Sequence, residues 1–199
     1  MSFLQQLQTK RAALKATTTI VTTASGKRFI ETSASTSTPL QILEEQSYGF
    51  VVDTKPDTVP ACILNDFLYL GSQDAVNCDN INAYKLTHIL SVGIETPHLA
   101  NEQVQTKFLP CLDLPETPLN AIAIPTANAF INEVRRAAGR VLVHCNAGVS
   151  RAASIVIAYL ILELGMTFDD AYGLVKSKRP CIQPNVGFIK QLKKLSIAE

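Results

Sequence analysis

Cys145 and Arg151 are the two residues whose types and spacing most directly suggest chemistry. They bracket the loop of VLVHCNAGVSRAASIV, residues 141–156. A buried strand should deliver the cysteine, a tight loop follows, and a helix is expected to begin at Arg151. The loop amides of Asn146, Ala147, Gly148, Val149, Ser150 and Arg151 can converge on one point, and the positive end of the helix adds to them. Gly148 permits the backbone turn that aims them inward. Such a cup fits a tetrahedral dianion, and the planar fork of Arg151 matches two of its oxygens. That field favours a thiolate at Cys145, which beside a bound phosphate is a nucleophile aimed at phosphorus. Ser150 is placed to donate a hydrogen bond to the sulfur and help it leave a phosphocysteine. If Cys145 points into the cup, His144 points away from it, so its expected part is to fix the loop. A bare Cys-x5-Arg pair is a weak signal, and a buried structural cysteine with a surface arginine is the plainer reading. A strand, then His-Cys-x-x-Gly-x-Ser-Arg, then a helix is far more restrictive.

A leaving alkoxide or phenoxide needs a proton, so an acid should stand near the nucleophile. Asp113, in CLDLPET, lies 32 residues before Cys145 at the end of an expected strand. Glu116, in the same loop, is its rival. The plainer reading of either is a solvated loop carboxylate.

The elements that must position these groups alternate. Residues 66–70, 87–92, 106–113 (broken by Pro110) and 140–144 read as strands. Residues 80–85, 119–138, 151–164, 168–178 and 184–195 read as helices. In the helix of 119–138, Ile122, Ala129, Phe130 and Val134 are expected on the apolar face. RVLVH (140–144) is apolar except at its ends, so it should be central and buried on both faces. Thr167 should cap the helix that follows it, with Asp169 and Asp170 in the first turn. Strands alternating with helices indicate an α/β fold with a mostly parallel sheet.

The chain has 199 residues, a net charge of +1, 47% hydrophobic and 18% charged residues. Those proportions support a sizeable core, and the near-neutral balance argues against broad nucleic-acid binding. The uncharged run between Arg151 and Glu163 is eleven residues long, short of the roughly 18 needed to cross a bilayer. Five cysteines without a C-x-x-C pair speak against zinc and a disulfide framework, and for a reduced intracellular setting. Cys111 could be a redox partner for Cys145, but a small buried hydrophobe is the favoured account. Order should begin near Gly49. Before it, residues 2–16 could form a helix, residues 17–38 are rich in Ser and Thr, and KRFIET (27–32) could pair as a strand. The reading is therefore a flexible arm over 1–48 and a catalytic domain over 49–199. The arm is also acid-poor and basic like a mitochondrial transit peptide, but it is Gln/Thr-rich rather than Arg-rich, which favours a solvated arm and a cytoplasmic protein.

LYLGSQDA (68–75), THILSVG (87–93), LDLPET (112–117), VLVHCNAGVSRAASIVIAYL (141–160) and AYGLVKSKRPCIQPNVGFIKQL (171–192) resemble, in order and spacing, the dual-specificity branch of the cysteine-dependent protein tyrosine phosphatases. The resemblance implies a central, mostly parallel mixed sheet of about five strands flanked by helices. It implies Cys145 as nucleophile, Arg151 as phosphate fork, Ser150 as helper of the leaving step and Asp113 as general acid. Asn185 matches a position of structural use. No metal or cofactor is required. The implied substrates are phosphorylated proteins, MAP-kinase cascade components among them, taken by a monomer. The loop NAGVS lacks the lysines of inositol-lipid phosphatases and differs from RNA triphosphatases. A phosphoprotein-binding scaffold with little turnover is the alternative, and the presence together of Cys145, Arg151 and Asp113 argues against it. One departure is visible: an aromatic pair often follows the acid loop in such phosphatases, where this chain has NAIAIP (120–125).

Overall fold

In the computed structural model, the described residues are 57–97 and 103–195, together with the backbone of three strands nearer the N-terminus. The expected helix over 2–16 and the expected onset of order near Gly49 lie outside the described residues. The chain divides into two units, Met1–Ser47 and Tyr48–Glu199.

In the first unit, β1 (Thr18–Thr22) pairs antiparallel with β2 (Arg28–Thr32), and β2 pairs antiparallel with β3 (Gln41–Ile42). β2 is the strand expected at 27–32. β1 is not among the expected strands. Thr, Ile and Val are β-branched and suit a pleated backbone, although a run of Thr reads as polar linker.

In the second unit the elements run β4 (Ala61–Leu64), β5 (Leu68–Gly71), α1 (Cys78–Tyr84), β6 (His88–Val92), β7 (Gln105–Leu109), α2 (Ile124–Arg136), β8 (Val141–His144), α3 (Arg151–Leu164), α4 (Phe168–Lys178) and α5 (Val186–Leu195). They form a five-stranded sheet in the order β4-β5-β8-β6-β7. β5, β8, β6 and β7 are parallel, and β4 is an antiparallel edge. β8 lies at the centre and is buried throughout. Its apolar side chains alternate between two cores. Val141 and Val143 join Leu68, Leu70, Leu90 and Val92 against α2 to α5. Leu142 joins Tyr69, Ile89 and Ile81 on the α1 side. Each such fully buried side chain contributes roughly 1.5–3 kcal/mol.

The register places Gly71, His144 and Ser91 in one row at the carboxyl end of β5, β8 and β6. In open parallel sheets, ligands bind just beyond that edge. α3 starts there and runs through the larger core with residues 152–161 all buried. Gly165 ends it in the left-handed region. Thr167 caps α4 by accepting from the Asp170 amide. Among the described residues no helix is long and apolar enough to cross a membrane.

The helix expected over 119–138 departs from its reading. Residues Leu119–Ala123 form a π turn, and the α-helix runs from Ile124 to Arg136. The turn carries Ile122 outward, where it is 68% exposed, and Ala129 is exposed as well. Phe130 and Val134 are buried as expected, and Ile124, Ala127 and Ile131 complete that face. A wider turn changes the angular phase, so spacing counted across it from Ile122 to Ala129 misplaces those two residues.

Candidate active site

Cys145 follows the last residue of β8 and is buried, only 2% exposed. Five successive carbonyls of the loop after it are held from outside. Asn146 O accepts from the Gln73 amide at 2.9 Å, Val149 O from the Gln183 amide at 2.9 Å, and Ser150 O from the Ser154 amide at 2.9 Å. Ala147 O and Gly148 O both accept from the guanidinium of Arg179, through Nη2 and Nε, each at 3.0 Å. In a trans peptide the C=O and the following N–H point in opposite directions. Pinning these five carbonyls outward therefore turns the amides of Ala147 through Arg151 the other way, and α3 adds its positive end. The backbone has become a nest of donors.

Gly148 has φ +65°, and a Cβ there would collide with the carbonyl of Gly71 and with Arg179. Only glycine fits both the left-handed backbone and that close approach. Gly93 is similar: at φ +67°, a Cβ would meet Cys111 O and the Arg151 guanidinium.

Arg151, the first residue of α3, donates from Nη1 to Gly93 O at 2.7 Å. Its Nε is one of two buried side-chain polar atoms without a hydrogen-bond partner among the described residues. Asp113 Oδ2 stands 3.8 Å from that Nε, near enough for charge attraction and too far for a hydrogen bond. A buried guanidinium N–H without an acceptor is costly, and a phosphoryl oxygen is the acceptor it suits.

Asp113 is held over the loop. Its Oδ1 accepts from Ser150 Oγ at 2.7 Å and from Asn185 Nδ2 at 2.8 Å. The Ser150 hydroxyl, expected to serve the sulfur, is thus directed at Asp113. Its oxygen accepts from the Asn185 amide at 3.1 Å. Asn185 is buried, and its Oδ1 caps α5 by accepting from the Phe188 amide at 2.9 Å. One asparagine so ties the start of α5, the loop serine and the carboxylate together. Glu116 is exposed and takes no part in this network.

His144 is fully buried. Nδ1 lies 3.3 Å from the Cys145 carbonyl and Nε2 lies 2.6 Å from Ser91 Oγ, which contacts Thr96 Oγ1. A carbonyl can only accept, so Nδ1 carries the proton and Nε2 accepts from Ser91. Burial holds the imidazole pKa down at about 4, so it stays neutral near pH 7. Burial likewise pushes the Cys111 thiol up to about 11, against the attraction of Arg151. That thiol contacts Leu112 O at 3.8 Å.

Two contributors escape a reading of the sequence. Arg179, 5% exposed, holds two loop carbonyls and pairs with Asp57. Asp57 is tied in turn to Ser72 Oγ, which donates to its carbonyl at 2.7 Å. A basic residue beside a proline in KSKRP gives no signal of burial. The alternation of apolar and polar residues is silent about such long-range pairs.

An α/β sheet carrying a donor nest at its carboxyl edge, with a cysteine at the base, is the architecture of the cysteine-dependent phosphatases. The catalytic-domain family described as dual specificity phosphatase matches residues 68–197. Dual specificity protein phosphatase 19 of Mus musculus is 38% identical over 195 residues, covering 95% of this chain and 87% of that one. Dual specificity protein phosphatase 1 of Arabidopsis thaliana is 39% identical over 142 residues, 71% of each chain. Against the longer probable rhodanese domain-containing dual specificity protein phosphatase of Dictyostelium discoideum, 38% identical over 135 residues, the match spans 28% of that protein. Among solved structures, human DUSP28 superposes with a TM-score of 0.65 at 29% identity, over 73% of this chain and 96% of that one. DUSP15 gives 0.64 at 34%, over 70% and 88%. The chain belongs to the dual specificity phosphatase family.

Proposed function

We propose that the chain hydrolyses phosphotyrosine and phosphoserine or phosphothreonine in proteins through a phosphocysteine intermediate on Cys145. The observation that carries this reading is the outward pinning of five consecutive carbonyls around a buried cysteine, beside a guanidinium N–H that lacks an acceptor. That arrangement supports a nest for the three non-bridging oxygens of a phosphoryl group, with Arg151 donating to two of them.

In the first step the Cys145 thiolate attacks phosphorus. The S–P bond forms, the P–O bond to the substrate breaks, and Asp113 gives its proton to the departing oxygen. Oδ1 of Asp113 already accepts two hydrogen bonds, so Oδ2 is the oxygen that carries the proton. In the second step the Asp113 carboxylate takes a proton from water. The water oxygen attacks phosphorus, the S–P bond breaks, and inorganic phosphate and the thiolate are released. Ser150 serves both steps by holding Asp113, and His144 by bracing the carbonyl of Cys145. Arg179 and Asn185 are positioning residues. The reading extends to MAP-kinase cascade components among the substrates, to signalling in the cytoplasm, to a monomer, and to residues 49–199 as the catalytic domain with 1–48 as its arm.

Turnover of a simple aryl phosphate by the wild type and by Cys145→Ser tests the proposal. The serine variant should fall to background while still binding the oxyanion tungstate, because the nest and Arg151 remain. Activity within tenfold of wild type would remove Cys145 as nucleophile. Tungstate binding by a wild type that turns nothing over would instead support a phosphoprotein-binding scaffold.

A further inference from the structure

Beside the anion nest lies a pocket of about 390 Å³ walled by Phe108, Leu112, Pro118 and Ile122, with Gly93 and Cys111 at its inner side. The π turn Leu119–Ala123 supplies one wall through Ala121, Ile122 and Ala123. Three large apolar side chains stand open to solvent at this one place: Phe108 at 48%, Leu112 at 67% and Ile122 at 68%. Contiguous exposed apolar surface on a folded domain commonly marks a contact site.

We propose that this pocket receives an apolar side chain of the substrate, from a residue close in sequence to the phosphorylated one. The inference rests on the phosphatase reading and adds a substrate preference to it. Continuity of the two sites argues for this occupant. Gly93 lines the pocket, and its carbonyl accepts from Arg151 at 2.7 Å. Cys111 lines it too, two residues before Asp113. A peptide whose phosphate sits over Cys145 therefore passes the pocket mouth within a few residues, at roughly 3.3 Å per extended residue. No described residue that lines the pocket carries a charge, and Thr117 supplies its one hydroxyl. A carboxylate or second phosphate would lose water there without gaining a partner. Leucine, isoleucine, methionine or phenylalanine would bury its side chain. Typical small-ligand pockets span roughly 300–1,000 Å³, so this one suits one or two side chains.

The test is a set of phosphopeptides in which leucine, serine or glutamate is moved one residue at a time from three before to three after the phosphoresidue. An aryl phosphate too small to reach the pocket serves as the reference. At one position leucine should raise kcat/KM about tenfold over serine, with glutamate the poorest. Ile122→Glu, and separately Phe108→Ser, should flatten that preference and leave aryl phosphate turnover unchanged. A wild-type profile flat within twofold, or a leucine preference that survives both substitutions, overturns the proposal while the phosphatase reading stands. Failure of the wild type on every phosphate, aryl phosphate included, overturns both.

Discussion

The anion nest and the pocket beside it are neighbours built on opposite principles. In the nest, every loop carbonyl from Asn146 to Ser150 has a partner, and Cys145, Ser150 and the supporting His144, Arg179 and Asn185 are all buried. On the acid loop and its pocket, Leu112, Leu114 and Ile122 lie exposed, the last of them in a π turn. The nest must present the same donors to every phosphoryl group, so its geometry is over-determined. The rim meets the part of the substrate that differs between proteins, so it can vary without disturbing the nest. Asp113 joins the two: it grows from the rim, yet Ser150 and Asn185 bind it to the nest.

Breaking that junction should have the largest effect. Asp113→Asn keeps the shape but removes the transferable proton, and positioned proton transfer is worth roughly 10²- to 10⁴-fold. Phosphothreonine and phosphotyrosine hydrolysis should slow by that order. Aryl phosphates with very acidic phenols should suffer far less in the step that forms phosphocysteine, since their leaving groups need no proton. Burst kinetics across a series of leaving groups measure the difference. Glu116→Gln should be mild throughout. The opposite pattern in the two variants would assign the acid to Glu116.

The nest itself can be loosened without touching a reacting atom. Arg179→Lys keeps a positive charge beside Asp57 but replaces the fork of Nε and Nη2 by a single nitrogen, which cannot reproduce the geometry of both bonds. A charge-assisted hydrogen bond is worth about 1.5–3 kcal/mol, so tungstate affinity and kcat/KM should both fall roughly 10- to 100-fold. Melting temperature serves as the control for simple unfolding. Wild-type tungstate affinity in the lysine variant would mean that the amides keep their direction without Arg179.

The same division between local and long-range constraint governs what the sequence makes legible. The central strand β8 and the Cys145–Arg151 loop are legible because their signals are local: an apolar run, then a fixed spacing around glycine. The mostly parallel sheet follows from the equally local alternation of strand and helix patterns. β4 is not among the expected strands: it is the antiparallel edge of the sheet, set between Pro60 and the turn at 65–67, where turn residues mask a short apolar run. Periodicity puts Ile122 and Ala129 on the wrong face because the π turn resets the helical phase. Arg179 and the Asp57 it holds are 122 residues apart, and nothing in either segment announces the other. Ser150 stands out in the loop, but its hydroxyl turns to Asp113 through a contact spanning 37 residues. Residue type alone does not decide between that carboxylate and the nearby sulfur.

His144 gives the smallest effect on turnover near neutral pH and the sharpest signature on stability. Its folded-state pKa, about 4, lies below its ordinary 6.5 because burial disfavours the charged ring. Between those values the unfolded chain binds a proton that the folded chain refuses. The stability contributed by the neutral ring is therefore complete above pH 6.5 and lost as pH falls toward 4, about 3 kcal/mol over the window. Protonation would also place a second donor against Ser91, turning its hydroxyl away and disturbing the brace on Cys145 O. Urea unfolding from pH 7.5 to 5 should show a steeper loss in wild type than in His144→Gln, which keeps an acceptor and a donor but does not titrate. Differences at all other groups cancel in that comparison. The ring can also be followed directly in the wild type by NMR, which is independent of how well the variant folds. A His144 resonance that titrates near 6.5 in the folded protein would show that the ring is not held neutral, and the brace on the nest would have to lie elsewhere.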